Sequence, residues 1–153
     1  MGEATLVETV GDELEGMRTI RLRIPARAEY VALARLALSG LADIAALPDE
    51  LLADLKLALT EAVSNSVRHA YAGGTGFVSV AYELSRDALA IEVVDDGEGF
   101  GEAHAADTED DLVEGGLGIA IIRAIADEFE LGPKNGGRGS RLRFVKLLPE
   151  SSR

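Results

Sequence analysis

The sequence predicts an α+β protein, a two-layer α/β sandwich whose mixed, mostly antiparallel sheet is covered by helices on one face. Three observations predict this class. Segments in which apolar and polar residues alternate, as in half-buried strands, occur early, in the middle and at the end of the chain. Stretches with apolar residues at helical spacing separate them. Two of the strands follow each other across a short turn, which makes them antiparallel neighbours.

The first half of the chain predicts one strand and two helices. Residues 18–25, RTIRLRIP, alternate apolar and basic residues, and Pro25 ends this first strand. Residues 28–47 carry apolar side chains on one broad helical face and predict the first helix. Pro48 followed by two acidic residues is a helix-start signal, so the second helix is expected to run from there to about Tyr71.

The second half predicts a hairpin, a long loop, a helix and a final strand. FVSVAYEL and ALAIEVVDD alternate on either side of the turn residues SRD and predict the hairpin. Residues 95–116 are acidic and bounded by glycines, which indicates a mobile loop rather than a tight turn. LGIAIIRAIADEF, residues 117–129, has helical spacing, and SRLRFVKLL alternates as a strand after the turn NGGRG.

Length and composition indicate a single globular domain. The 153 residues are 47% hydrophobic and 27% charged, a composition unlike that of disordered chains. We expect one domain over residues 18–148, an N-terminal extension or edge strand over residues 1–17, and a C-terminal tail over residues 149–153.

Charge and cysteine content limit the possible partners. The formal net charge of -12 opposes binding along a nucleic acid, which requires clustered Lys and Arg. An acidic surface instead favours solubility or a basic protein partner. The chain has no cysteine, which excludes disulfides and thiolate metal sites. No stretch is apolar enough for a signal peptide or a membrane span, so we expect a cytoplasmic protein without membrane contact.

A polar ridge runs along the predicted second helix. Glu61, Asn65 and His69 follow one another at intervals of four residues, so they lie on one helical face. A carboxylate one turn from an amide oxygen can activate a hydroxyl while the amide holds a hard cation. The alternative is an ordinary solvated helix face.

A second constellation follows the hairpin. In DDGEGF, Asp95 stands where an apolar strand ends, and Gly97 and Gly99 come soon after it. A carboxylate there can accept a hydrogen bond from the exocyclic amine of a purine, and glycines allow the backbone to approach a flat ring. The alternative is a glycine-rich turn that only closes the strand.

Glycines also precede the third helix and the last strand. The helix starts within Gly115-Gly116-Leu117-Gly118, where free backbone N–H groups can bind a phosphate, although a flexible hinge is the alternative. The spacing is neither that of a P-loop nor that of a dinucleotide fingerprint. Gly139 and Ser140 form a turn before the last strand and could place a hydroxyl in a site.

Taken together and in this order, these segments resemble the four conserved boxes of the GHKL (Bergerat) ATPases. EAVSNSVRHAY, residues 61–71, is similar to the N box of the bacterial anti-sigma factor serine kinases of the RsbW and SpoIIAB type. DDGEGF and GGLGIAII resemble the two glycine boxes. GGRGSRLRF resembles the last box, with Ser140 in place of the usual threonine. The resemblance extends from the first strand to Lys146.

The resemblance implies a role for each residue. Glu61 would be the general base, Asn65 would hold a Mg²⁺ ion that bridges the phosphates, and Asp95 would read adenine. Gly97 and Gly99 would shape the adenine pocket. The other nucleotide contacts implied are Arg68, His69, Gly116, Leu117, Gly118 and Ser140.

One departure from the family concerns the loop over residues 101–115, here called the lid. It contains no Lys or Arg, although related kinases commonly place a basic residue there, and Glu114 stands near the expected position. Either another cation such as Arg68 or Arg123 substitutes, or transfer is slow, so ATP binding is predicted more firmly than catalysis.

The function implied is that of an ATP-dependent and Mg²⁺-dependent protein serine kinase and anti-sigma factor. It would phosphorylate an antagonist of the STAS type and sequester a sigma factor, as a homodimer formed through the first strand and first helix. One alternative is a nucleotide-dependent switch that sequesters its partner without phosphate transfer. The other is the detached ATP-binding domain of a histidine kinase, although His69 and His104 do not lie in the separate phospho-accepting helix that such kinases use.

Overall fold

The computed structural model describes residues 6–10, 17–70, 76–96, 117–134 and 139–149. The strands are β1 (Leu6–Val10), β2 (Arg18–Pro25), β3 (Phe77–Leu84), β4 (Ala88–Asp95), β5 (Glu128–Pro133) and β6 (Ser140–Leu147). The helices are α1 (Val31–Ala45), α2 (Asp49–Ala70) and α3 (Leu117–Ile125), and a single 3₁₀ turn at Ala28–Tyr30 precedes α1.

The strands form one sheet in the order β1-β2-β3-β4-β6-β5. Each pair of neighbouring strands in the described residues is antiparallel. The predicted α+β class is confirmed, as are strands β2, β3, β4 and β6 to within one residue of their predicted bounds. The predicted acidic loop lies outside the described residues, apart from its first two residues.

The hydrophobic core lies between one sheet face and the helices. Strand alternation brings Leu22, Val80, Val93 and Leu142 into one cross-strand row, and all four are buried. The helices close this face with buried side chains such as Leu38 of α1, Leu59 of α2 and Ile122 of α3. Within the described residues, no helix is long and apolar enough to cross a membrane.

The opposite sheet face carries ion pairs. Arg141 of β6 pairs with Glu92 of β4 and, at 3.1 Å, with Glu130 of β5. Arg143 pairs with Glu83 of β3 at 3.2 Å. The hydrogen bond that Arg141 donates to Glu130, together with the one that it donates to Glu92, raises the pKa of Arg141. These partly exposed pairs tie four strands together on the face that the three described helices leave open.

The third helix is shorter than predicted. Helical spacing suggested a helix over residues 117–129, but α3 ends at Ile125 and the edge strand β5 begins at Glu128. The backbone N–H of Asp127 donates to the carbonyl of Val145 in β6 at 2.8 Å, which draws the chain into the sheet. The alternation of EFEL suits an edge strand, so sheet pairing overrides local helical spacing.

The chain before β2 contains an edge strand, and the bounds of α1 differ from those predicted. Residues 6–10 pair with β2 at the edge of the sheet, whereas the division of the chain into domains stays a prediction. Helix α1 begins at Val31 rather than at Ala28, because the 3₁₀ turn precedes it. It ends where Ala46 adopts a left-handed backbone with φ 55°.

One buried hydrogen bond joins the sheet to α1. The hydroxyl of Tyr82 in β3 donates to the carbonyl oxygen of Ala34 at 2.7 Å, and both residues are fully buried. We expect Tyr82→Phe to lower the free energy of unfolding by about 0.5–1.5 kcal/mol, because the carbonyl loses this donor. Urea denaturation at pH 8 measures the difference.

The burial of Tyr82 also predicts that the free energy of unfolding depends on pH. Burial raises the pKa of Tyr82 above its ordinary value, so the folded state disfavours the phenolate. This contribution to stability is complete below pH about 10, the pKa of an unfolded tyrosine, and is lost as the pH rises further. The stability advantage of the wild type over Tyr82→Phe should therefore shrink between pH 8 and pH 11. If the difference between the urea midpoints of the wild type and Tyr82→Phe stays the same from pH 8 to pH 11, this prediction is contradicted.

Candidate functional site

The polar ridge on α2 is partly enclosed. Helix α2 forms because acidic residues occupy its first turn and its buried stripe is rich in Ala and Leu. Asn65 is buried with 4% of its surface exposed, and Glu61 one turn earlier is half-buried. At Glu61 and Asn65 the ridge is therefore partly enclosed rather than fully solvated. Ser66, also buried, is a polar position that the sequence pattern did not single out.

Asp95 and Ser140 form a buried pair across two strands. Asp95 ends β4 and Ser140 begins β6, and the register places them directly opposite each other. The Ser140 hydroxyl donates to Oδ2 of Asp95 at 2.5 Å, and its backbone N–H donates to Oδ1 at 3.3 Å. Only 1% of Asp95 and 4% of Ser140 is exposed. The serine therefore fixes the carboxylate plane.

Gly139 makes this pairing possible. It has a φ of 94°, and a Cβ atom placed on it would lie 2.1 Å from the carbonyl oxygen of Asp95. Any side chain would push the start of β6 away from β4. The sequence pattern indicated the turn but did not assign Gly139 to the site. The glycine-rich run before the last strand was the available signal.

A second glycine contacts the other polar group. A Cβ atom placed on Gly118, in the first turn of α3, would lie 2.7 Å from Oε1 of Glu61. The Glu61 carboxylate therefore packs directly against the backbone at the start of α3. The structure brings together Glu61 with Gly118 and Asp95 with Ser140. Helix α2 connects the two pairs, because it packs against both α3 and β4.

Several of the predicted site residues do not belong to either of these two pairs. Gly97, Gly99, Gly116 and the lid lie outside the described residues, and for His69 only the helical backbone is described. Arg68 is exposed on the last turns of α2, and Leu117 is exposed at the start of α3. The nucleotide contacts assigned to these residues stay predictions.

Arg123 was one of two possible substitutes for a basic residue in the lid. It lies in the last turn of α3, with its guanidinium 5.5 Å from the centre of the Phe129 ring. That is the end of α3 opposite to Gly118. Of the two candidates, this position favours Arg68.

The rim next to Asp95 contains an ion pair that sequence analysis missed. Lys134, after β5, pairs with Asp96, the residue after β4. The pair depends on β5, which the sequence pattern did not predict. It holds the end of β5 close to the end of β4.

The donors present suit a nucleotide and a magnesium ion. The buried Asp95 carboxylate and the glycine beside it, which leaves no space for a Cβ, suit a flat ring that carries a hydrogen-bond donor, and the Asn65 amide offers an oxygen of the kind that Mg²⁺ prefers. Among the residues placed by the structure, no group of three or more His, Cys, Asp or Glu could hold a metal on its own. Mg²⁺ does not require one, because it takes its other ligands from phosphates and water.

Comparison with known proteins places the chain in a family. Residues 24–146 match the histidine kinase-like ATPase domain. The serine-protein kinase RsbW of Staphylococcus epidermidis is 35% identical over 138 residues, which cover 83% of this chain and 87% of the relative. The serine-protein kinase RsbW of Bacillus pumilus is 36% identical over 143 residues, covering 86% and 88%. The chain therefore belongs to the histidine kinase-like ATPase family, within the group of the RsbW serine-protein kinases.

Proposed function

We propose that this protein is a cytoplasmic anti-sigma factor that transfers the γ-phosphoryl group of ATP to a serine of a STAS-type antagonist and otherwise sequesters a sigma factor. Membership of the RsbW group confirms the prediction of a protein serine kinase that uses ATP. The observation that carries the proposal is the half-buried Glu61 carboxylate, which lies at the start of α3 one turn from Asn65.

Glu61 is the proposed general base. Its carboxylate accepts the proton of the attacking serine hydroxyl as the oxygen approaches the γ-phosphorus, in line with the leaving β-phosphate oxygen. The contact with Gly118 places this carboxylate beside the first turn of α3, whose free N–H groups favour a phosphate. Base and phosphate site then lie side by side.

Asn65 is the proposed metal ligand. A bound Mg²⁺ ion would neutralise the charge that develops on the phosphate oxygens during transfer. Asn65 presents its side chain from the same face of α2 as Glu61, and its burial restricts the rotamers of the amide. The amide oxygen is thereby held one helical turn from the base.

Asp95 is the proposed reader of adenine. It is fixed by two hydrogen bonds from Ser140, so its carboxylate is oriented before the base arrives. A carboxylate accepts a hydrogen bond from the exocyclic amine of adenine, whereas guanine presents a carbonyl oxygen there. We propose that Gly97 and Gly99 complete this pocket.

A sequestering switch without phosphate transfer is the second candidate. It is favoured by the absence of Lys and Arg from residues 101–115, and by the position of Arg123 at the far end of α3. In that case ATP would control the affinity for the sigma factor alone. The detached domain of a histidine kinase is not favoured, because the relatives above are serine-protein kinases.

A transfer assay separates these functions. The protein is incubated with Mg²⁺ and γ-labelled ATP, together with the STAS-domain proteins encoded beside its gene. The proposal predicts label on a serine of one antagonist, dependent on Mg²⁺. Micromolar or tighter binding of ATP without label on any antagonist would support the switch instead.

We also propose a homodimer formed through α1 and the predicted first strand, which is β2 in the structure. Leu36 and Ile44, two turns apart on α1, have 65% and 61% of their surfaces exposed. Replacing both by glutamate should convert a dimer to a monomer in sedimentation velocity at roughly 10–100 µM protein. The control is Leu131→Glu on β5, at the opposite edge of the sheet, which should leave the dimer intact. A wild-type monomer at the highest concentration would contradict the proposal.

A further inference from the structure

Gly118 stands where the two helices of the site meet. It is the second residue of α3, and the atom closest to the place of its missing side chain is Oε1 of Glu61. The Cβ and Cδ atoms of Glu61 lie 3.7 Å from that place, at an ordinary contact distance, whereas Oε1 lies at 2.7 Å. Only the carboxylate of Glu61 therefore uses the space that the glycine leaves open.

The surroundings determine what a methyl group at residue 118 would displace. Ile122 of α3 is fully buried in the same core as Ala58 and Ala62 of α2, so the two helices cannot separate without opening that core. The Glu61 carboxylate is the end of a flexible, half-buried side chain. A methyl group at residue 118 would therefore displace the Glu61 carboxylate rather than the backbone.

We propose that Gly118 is a positioning residue for the general base: the lack of a side chain there sets the location of the Glu61 carboxylate and couples the start of α3 to it. This inference rests on the proposed function of Glu61. It assigns to Gly118 a role besides any contact with phosphate. It also means that movement of the start of α3 changes where the base lies.

Gly118→Ala tests the coupling with little effect on folding. The backbone of Gly118 is not left-handed, and alanine has the higher helix propensity, so the variant should fold with a melting temperature equal to or above that of the wild type. Displacement of a catalytic group by about 1 Å costs up to ~100-fold in rate. We expect the kcat for phosphate transfer to the STAS-domain protein to fall ~10–100-fold, with KM for ATP changed less than about threefold.

Two further variants make the result specific. Gly132→Ala on β5 is the control, because it is the same substitution and nothing lies within 4 Å of the added methyl group. It should leave kcat unchanged. On the background of Glu61→Asp, whose carboxylate is withdrawn by one methylene, adding Gly118→Ala should change kcat less than twofold.

Each outcome has a definite meaning. Loss of kcat in Gly118→Ala that disappears on the Glu61→Asp background supports the positioning role. An equal loss on both backgrounds, a weaker affinity for ATP with an unchanged kcat, or no loss at all overturns it. Full transfer activity in Glu61→Asp and in Glu61→Ala would instead overturn the assignment of Glu61 as the base, which is a separate result.

Discussion

Replacing Glu61 by alanine is expected to abolish most of the phosphate transfer while leaving ATP binding in place. General bases contribute ~10²–10⁴-fold to the rates of enzymes, so kcat should fall by that factor. Glu61 is half-buried, and the contact that it makes at the start of α3 is with a glycine. Removing its side chain should therefore change the free energy of unfolding only slightly. Single-turnover transfer from γ-labelled ATP measures the rate, and isothermal titration with ATP measures the binding.

Glu61→Gln is the control variant that keeps the size and shape of the Glu61 side chain but removes its negative charge. The amide fills the same space beside Gly118 but cannot accept the proton of the serine hydroxyl, so it should be as slow as the alanine variant. If the glutamine variant keeps more than about a tenth of the wild-type rate, Glu61 positions the serine rather than taking its proton.

Replacing Asp95 by alanine is expected to have the second large effect, on affinity for ATP. A hydrogen bond to a charged group contributes about 1.5–3 kcal/mol, so the Kd for ATP should rise ~10–100-fold. The free energy of unfolding should also fall by about 1–3 kcal/mol, because the buried N–H and hydroxyl of Ser140 lose their acceptor. Titration calorimetry and urea denaturation follow the two effects separately.

Ser140→Ala and nucleotide exchange show whether Asp95 reads the base. Removing the Ser140 hydroxyl takes away one of the two hydrogen bonds that Ser140 donates to Asp95 and should raise the Kd for ATP less than Asp95→Ala does. Loss of Asp95 should affect ATP more than GTP, since guanine has no exocyclic amine at the same ring position. Equal losses for both nucleotides would argue for a structural role of Asp95 alone.

Local patterns were sufficient for the hairpin and for α2. The alternation matches burial at each residue of β3 and at each residue of β4 except Ala90, because one sheet face is covered and the other is not. Helix α2 carries a proline and two acidic residues at its start and runs without a break to Ala70. In both cases neighbours in the sequence determine the structure.

The contacts that the sequence could not predict join distant segments. β5 was missed because an edge strand of six residues follows a helix with similar apolar spacing, and only pairing with β6 reveals it. The pairing of Asp95 with Ser140 and the contact between Glu61 and Gly118 span 45 and 57 positions. The resemblance to the family assigned these residues to one site. The distances between their atoms could be obtained only from the folded structure.

The place of β6 within the sheet has a consequence for biosynthesis. β6 is the last described strand to leave the ribosome, yet it inserts between β4 and β5 and supplies Ser140 to Asp95. A nascent chain lacking β6 leaves β4 as an unpaired edge, which is open to pairing with other chains. Chaperones that protect exposed edges would then act during this interval, and a nucleotide held by Asp95 could stabilise the protein only after β6 has been inserted.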